Sequence, residues 1–103
     1  MIKQFLKLFG LGTAVDFKGM VASGALIIDV RTPDEFTSGH IEKAKNMPLD
    51  TLATQTKNLP KDKIIITCCA SGMRSASAKA LLKSKGFIKV YNGGGWQRLA
   101  SKI

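Results

Sequence analysis

At 103 residues, 45% of them hydrophobic, the chain can bury one modest core but not two, and it is too apolar to remain disordered. Its sixteen lysines and arginines outnumber its seven acidic residues by nine, so its surface should draw anions. The lysines run from Lys3 to Lys102 without aromatic interleaving, and only three of the sixteen basic residues are arginines, a pattern that argues against nucleic-acid binding.

Residues 1–12 read as an amphipathic N-terminal extension preceding a single domain over 13–103. In the extension Ile2, Phe5, Leu6 and Phe9 recur at helical spacing while Lys3 and Lys7 share another face. The run is too short to span a bilayer, and a terminal helix folded back on the domain is favoured over membrane association. Asp16 can cap a short helix through Val21, which Gly24 ends. Leu26-Ile27-Ile28-Asp29-Val30 reads as a strand buried on both faces, which implies a parallel, helix-covered sheet. Thr32-Pro33-Asp34-Glu35 then supplies a capping box, and Gly39 ends that brief helix. His40, the sole histidine, is expected to hydrogen-bond the backbone just past the helix end. Asp50 is expected to cap a further helix with Leu49, Leu52, Ala53 and Thr56 on one side and Pro60 at its end, before a turn over residues 60–63.

Ile64-Ile65-Ile66-Thr67 is the central strand, and it stops at Cys68-Cys69. A loop through Ser71-Gly72 leads into a helix from Ser75 toward Lys85 that buries Ala78, Leu81 and Leu82, with Gly86 as its left-handed stop. Ile88–Tyr91 forms the last strand, Asn92–Gly95 a flexible turn, and Trp96–Ala100 a terminal helix. Strands alternating with helices make the fold α/β, with right-handed crossovers.

Strand, tight loop and helix place unpaired backbone amides, and the positive end of a helix dipole, around whatever side chain begins the loop. Cys69 begins it and Arg74 closes it. A thiol so placed ionises more readily than a free one, and the thiolate is the nucleophile; the alternative is a small buried hydrophobe at a strand end. The two adjacent cysteines cannot staple distant segments, so a reducing cytoplasm is the expected setting. With one histidine they also fall short of a metal ligand set, and neither metal nor cofactor is expected.

Cys69-Ala70-Ser71-Gly72-Met73-Arg74-Ser75 resembles the active-site loop of rhodanese domains, the sulfurtransferases that carry sulfur as a cysteine persulfide. Ile28–Phe36 and Gly39-His40-Ile41, with Ala44 and Asn46-Met47-Pro48, are similar to the amino-terminal signature of that family. Gly86-Phe87, Val90–Asn92 and Gly94-Gly95 resemble the carboxy-terminal one. The resemblance implies a small five-stranded, mainly parallel sheet flanked by helices, with the loop at the carboxyl ends of the strands. It also implies Cys69 as catalytic residue and Ala70, Ser71, Gly72, Met73, Arg74 and Ser75 as the substrate cradle. The implied partners are a small anionic sulfur donor such as thiosulfate and a thiol or cyanide acceptor, or a sulfur-relay protein, with the chain acting as a monomer.

Two alternatives stay open. Counted from Cys68, the spacing Cys68-x5-Arg74 is that of small phosphatases, so register decides which sulfur faces the cradle. A non-catalytic sulfur-carrier or redox-sensing module is the other.

Overall fold

A computed structural model of the chain describes residues 15–103; the amphipathic extension assigned to residues 1–12 lies outside them. Four strands form one parallel sheet: β1 (Leu26–Asp29), β2 (Lys45–Asn46), β3 (Ile65–Cys69) and β4 (Val90–Gly95), in the order β2-β1-β3-β4. The helices are α1 (Phe17–Ala22), α2 (Pro33–Thr37), α3 (Leu52–Gln55, entered through a 3-10 turn at Leu49–Thr51), α4 (Met73–Ser84) and α5 (Trp96–Ala100). The described residues thus hold four strands, not five.

Alternation along the strands splits the core in two. Ile28, Val30, Ile65, Cys69 and Val90 face one side, where they meet Leu52 of α3 and Ala78 and Leu82 of α4. Ile27, Ile66 and Cys68 face the other, against Phe17 of α1 and Leu99 of α5. Helices therefore cover both faces, as the burial of every residue of β3 and of all but the first of β1 requires.

Local signals act where the sequence puts them. The Asp16 carboxylate accepts from the Gly19 amide at 2.9 Å. Thr32 and Glu35 close a reciprocal capping box, with Glu35 N donating to Thr32 Oγ1 and Thr32 N to Glu35 Oε1. Past α4, Gly86 takes a φ of 100° while its own amide bonds Lys83 O and the Phe87 amide bonds Leu82 O. This double bond is the Schellman closure, and it seats Phe87 against Leu82 in the core. Asp50 does not cap: neither the 3-10 turn nor α3 has a side-chain cap, and the segment ends early, where Thr56 Oγ1 bonds back to Leu52 O at 2.8 Å.

The largest departure concerns β4. The expected strand at Ile88–Tyr91 begins two residues later, Ile88 being 67% exposed, and runs through Gly95, so the anticipated glycine turn is sheet. Close approach to β3 requires it, since a Cβ on Gly93 would stand 2.8 Å from Thr67 O and 2.8 Å from Leu99 Cδ2. Thr67 pairs with Asn92 and Cys69 with Gly95, so β4 carries one residue more than β3 over this stretch, a bulge. Gly94, with φ 79°, absorbs it.

Candidate active site

The sheet delivers Cys69 at the carboxyl end of its central strand, and the chain turns at once through Ala70 and Ser71 to Gly72. Gly72 has φ 112°, a left-handed conformation that glycine adopts without penalty, and serves as the N-cap of α4. That turn brings the Gly72 amide back onto Cys69 Sγ at 2.9 Å. The helix starts at Met73, two residues before the expected Ser75, so Ser75 lies within its first turn and is buried.

Ser75 is the pivot of the site. Its backbone oxygen accepts from Thr67 Oγ1 at 2.8 Å, which ties α4 to β3. Its hydroxyl donates to Asn92 Oδ1 at 2.6 Å and lies 3.5 Å from Cys69 Sγ. Asn92 Oδ1 also accepts from the Gly94 amide at 2.8 Å, so the bulge in β4 aims this side chain. A hydroxyl owns one proton. With a neutral thiol, Cys69 donates to Ser75 and Ser75 to Asn92; with a thiolate, the hydroxyl can turn its proton to sulfur.

Burial opposes ionisation of Cys69, but hydrogen bonds from the Ser75 hydroxyl and amide and from the Gly72 and Ser71 amides outweigh it and lower its pKa below the ordinary thiol value. Cys68 is the reverse case. Fully buried on the opposite face and facing the Asp29 carboxylate, its thiol is pushed up to about 12. The neighbouring cysteines are thus separated by the strand pleat into one ionisable and one inert sulfur. The Cys69 residue is 1% exposed, so the loop encloses the sulfur and admits only a small reacting atom.

Arg74 points back across the loop to α2, where its Nη1 and Nη2 meet Glu35 Oε1 and Oε2 at 2.7 and 2.9 Å. The Arg74 hydrogen bond, followed by the Thr32 backbone bond, brings the Glu35 carboxyl down to about 2. Of the two sulfurs, Cys69 is the one whose charge acts on Arg74. Glu35 thus belongs to the site, although the sequence marks it only as a helix cap. Its pairing with a residue 39 positions away leaves no local trace.

Of the residues expected to form the cradle, Gly72, Ser75 and the Ser71 amide surround the sulfur, whereas Ala70 and Met73 are exposed, Met73 at 82%. Asn92, assigned to a flexible turn from the sequence, joins them through the bulge.

Two other polar groups are structural. Asp29 and Arg31 form a buried pair, Nη2 to Oδ2 at 2.7 Å, and Arg31 reaches on to Glu35 O and Gly39 O and lies over the Trp96 ring at 4.9 Å. This arginine ties the end of β1 to α2 and α5. His40 stacks on Phe36, its Nδ1 2.7 Å from Phe36 O. Among the described residues no cluster of three or more His, Cys, Asp or Glu could hold a metal, and no helix is long and apolar enough to cross a membrane.

Comparison with known proteins agrees with this architecture. A family model described as Rhodanese-like domain matches residues 13–102. The chain is 38% identical over 80 residues to the uncharacterized protein YqhL of Bacillus subtilis, covering 77% of this chain and 64% of that one. It is 36% identical over 67 residues to a sulfurtransferase of Allochromatium vinosum, covering 65% and 63%. A match of 38% over 74 residues to the tRNA uridine(34) hydroxylase of Escherichia coli covers 66% of this chain and 21% of the enzyme. The chain thus spans just under two thirds of the first two relatives and a fifth of the third. Among solved structures, a rhodanese with anions from E. coli superposes with a TM-score of 0.67 at 30% identity, over 73% of this chain and 91% of that one. Matched over nearly its whole length and built on that fold, this chain belongs to the rhodanese-like domain family.

Proposed function

We propose that the protein is a thiosulfate sulfurtransferase that carries sulfane sulfur as a persulfide on Cys69. The observation that carries this reading is a Cys69 sulfur held 2.9 Å from the Gly72 amide and 3.5 Å from the Ser75 hydroxyl at the start of α4, beside a Cys68 turned to the opposite face. The Cys69 thiolate attacks the outer sulfur of thiosulfate. A new sulfur–sulfur bond forms, the donor's own bond breaks, and sulfite leaves with the electron pair. The loop amides and the dipole of α4, a helix of 12 residues, stabilise the anionic sulfur before and after transfer, so no acid and no metal take part. Arg74, held by Glu35 through its terminal nitrogens, supplies the positive charge for the donor's sulfonate oxygens. A thiol or cyanide then removes the sulfur.

The sulfur donor is small because the sulfur of Cys69 is enclosed. In this reading the protein works as a monomer in the cytoplasm, where thiol acceptors or a sulfur-relay protein are at hand and its two free cysteines stay reduced.

Intact mass and peptide mapping after thiosulfate test the assignment. A gain of one sulfur, about 32 Da, is expected on Cys69. Cys68→Ala should keep the label and Cys69→Ala should lose it. Label on Cys68, or release of phosphate from an aryl phosphate in a Cys68-dependent manner, would overturn the reading.

A further inference from the structure

Beside the loop that holds Cys69 opens a cleft of about 390 Å3, lined by Ala70 and Ser71 of the loop, by the Gly93–Gly95 end of β4, and by Arg98 and Lys102. Its volume suits an organic small molecule and far exceeds that of an inorganic sulfur oxyanion. Its charge is equally distinctive. Of the three arginines, Arg31 is bound to Asp29 and Arg74 to Glu35, while Arg98 has no carboxylate partner among the described residues. Lys102 has none there either, and its ammonium lies 5.9 Å from the ring of Phe17, which adds apolar surface to the same cleft. A guanidinium and an ammonium lining one cleft, neither with a carboxylate partner among the described residues, suit a small molecule with carboxylate ends, since the guanidinium fork takes carboxylates bidentately.

We propose that this cleft is the binding site of the sulfur acceptor and that Arg98 and Lys102 select thiols bearing carboxylates. The inference rests on the sulfurtransferase reading above and names the second substrate of that site. Ala70 and Ser71, the two residues that follow Cys69 in the loop, line the cleft, so a thiol seated there borders the loop that carries the persulfide. The acceptor thiol gives its proton to solvent, its sulfur bonds to the outer persulfide sulfur, the bond between the two persulfide sulfurs breaks, and the electron pair leaves on Cys69 as thiolate. The product is an organic persulfide, and the enzyme is ready for another donor.

Two measurements on the full chain test this. The first titrates S-methylmercaptosuccinate, a dicarboxylate that cannot react, into isotopically labelled protein; the amide signals of Gly94, Gly95 and Gln97 should shift, and affinity should fall about tenfold in the Arg98→Gln, Lys102→Gln double variant, as for loss of a charge-assisted contact. The second compares mercaptosuccinate with 2-mercaptoethanol as acceptors from thiosulfate-loaded enzyme. The double variant should lose about tenfold in kcat/KM for the dicarboxylate alone, and sulfur loading of Cys69 should stay unchanged. Shifts that map elsewhere, or equal losses for both thiols, overturn the cleft as acceptor site. If the dicarboxylate binds as described but Cys69 takes up no sulfur, the sulfurtransferase reading fails, and the acceptor role with it, while the carboxylate site stands.

Discussion

Around Cys69 a single proton decides which group carries charge. Ser75 Oγ sits within reach of both Cys69 Sγ and Asn92 Oδ1, so the hydroxyl can follow the sulfur between its thiol and thiolate forms without leaving an orphaned donor. Replacing Ser75 with alanine should raise the pKa of Cys69, moving the pH midpoint of iodoacetamide alkylation upward and slowing sulfur loading at neutral pH more than at alkaline pH. An unshifted midpoint would remove the hydroxyl from the account. The Glu35–Arg74 pair gives a second residue-level prediction. Because the folded carboxyl titrates at about 2 rather than at the ordinary 4.5, the pair's contribution is complete above about 4.5 and is lost as pH falls through 2. Acid unfolding of Glu35→Gln should therefore lack that part of the pH dependence seen in the unaltered protein.

At the scale of elements, the site depends on three pieces brought to one end of the sheet: the loop after β3, the first turn of α4, and the bulge in β4. Gly93 is where the third is most exposed to change. Alanine there meets the Thr67 carbonyl and the Leu99 and Ile66 side chains at under 3 Å, so β4 must move away from β3. Gly93→Ala should cost about 1–3 kcal/mol in urea unfolding, the usual penalty of overpacking, and should slow sulfur loading because Asn92 moves with the strand. Thr32→Ala tests the second helix end that serves the site. It removes the α2 cap at a cost of about 1 kcal/mol in urea unfolding and takes from Glu35 the Thr32 hydroxyl that donates to its carboxylate, while the amide of residue 32 still holds Glu35 Oε1.

Over the whole molecule the two cysteines pull stability in opposite directions with pH. Cys68 titrates near 12 when folded against an ordinary 9.0, so its contribution is intact below 9.0 and lost as pH rises toward 12. Cys69, whose folded pKa is depressed, contributes in the other sense, its stabilisation being present above the unfolded thiol value and lost as pH falls through the folded one. The alkaline limb of the stability curve should thus flatten in Cys68→Ala and persist in Cys69→Ala, as followed by thermal unfolding between pH 8 and 11. A persistent limb in both variants would assign it to the lysines instead.

Much of this architecture can be read from short stretches of chain. Asp16, Thr32 with Glu35, and Gly86 act on amides and carbonyls within a few residues, and the alternation Ile65-Ile66-Thr67-Cys68-Cys69 alone separates the two sulfurs onto opposite faces. The turn that brings the Gly72 amide onto Cys69 Sγ is legible for the same reason, because the two residues lie three positions apart. Two expectations failed where packing overrode local pattern. Asn92–Gly95 looks like a turn by composition, yet close approach to β3 and Leu99 demands glycine within a strand; Asp50 stands where a cap would serve, but the 3-10 turn gives its carboxylate no amide to accept from. The partners that complete the site lie farther apart still. Ser75 meets Asn92 across 17 positions and Glu35 meets Arg74 across 39, and Arg98 comes to line one cleft with Ala70 and Ser71 only because α5 follows β4 at the same end of the sheet. Caps, turns and strand alternation follow from neighbours in the chain, whereas the match of charge to charge across elements exists only once the sheet has brought them together.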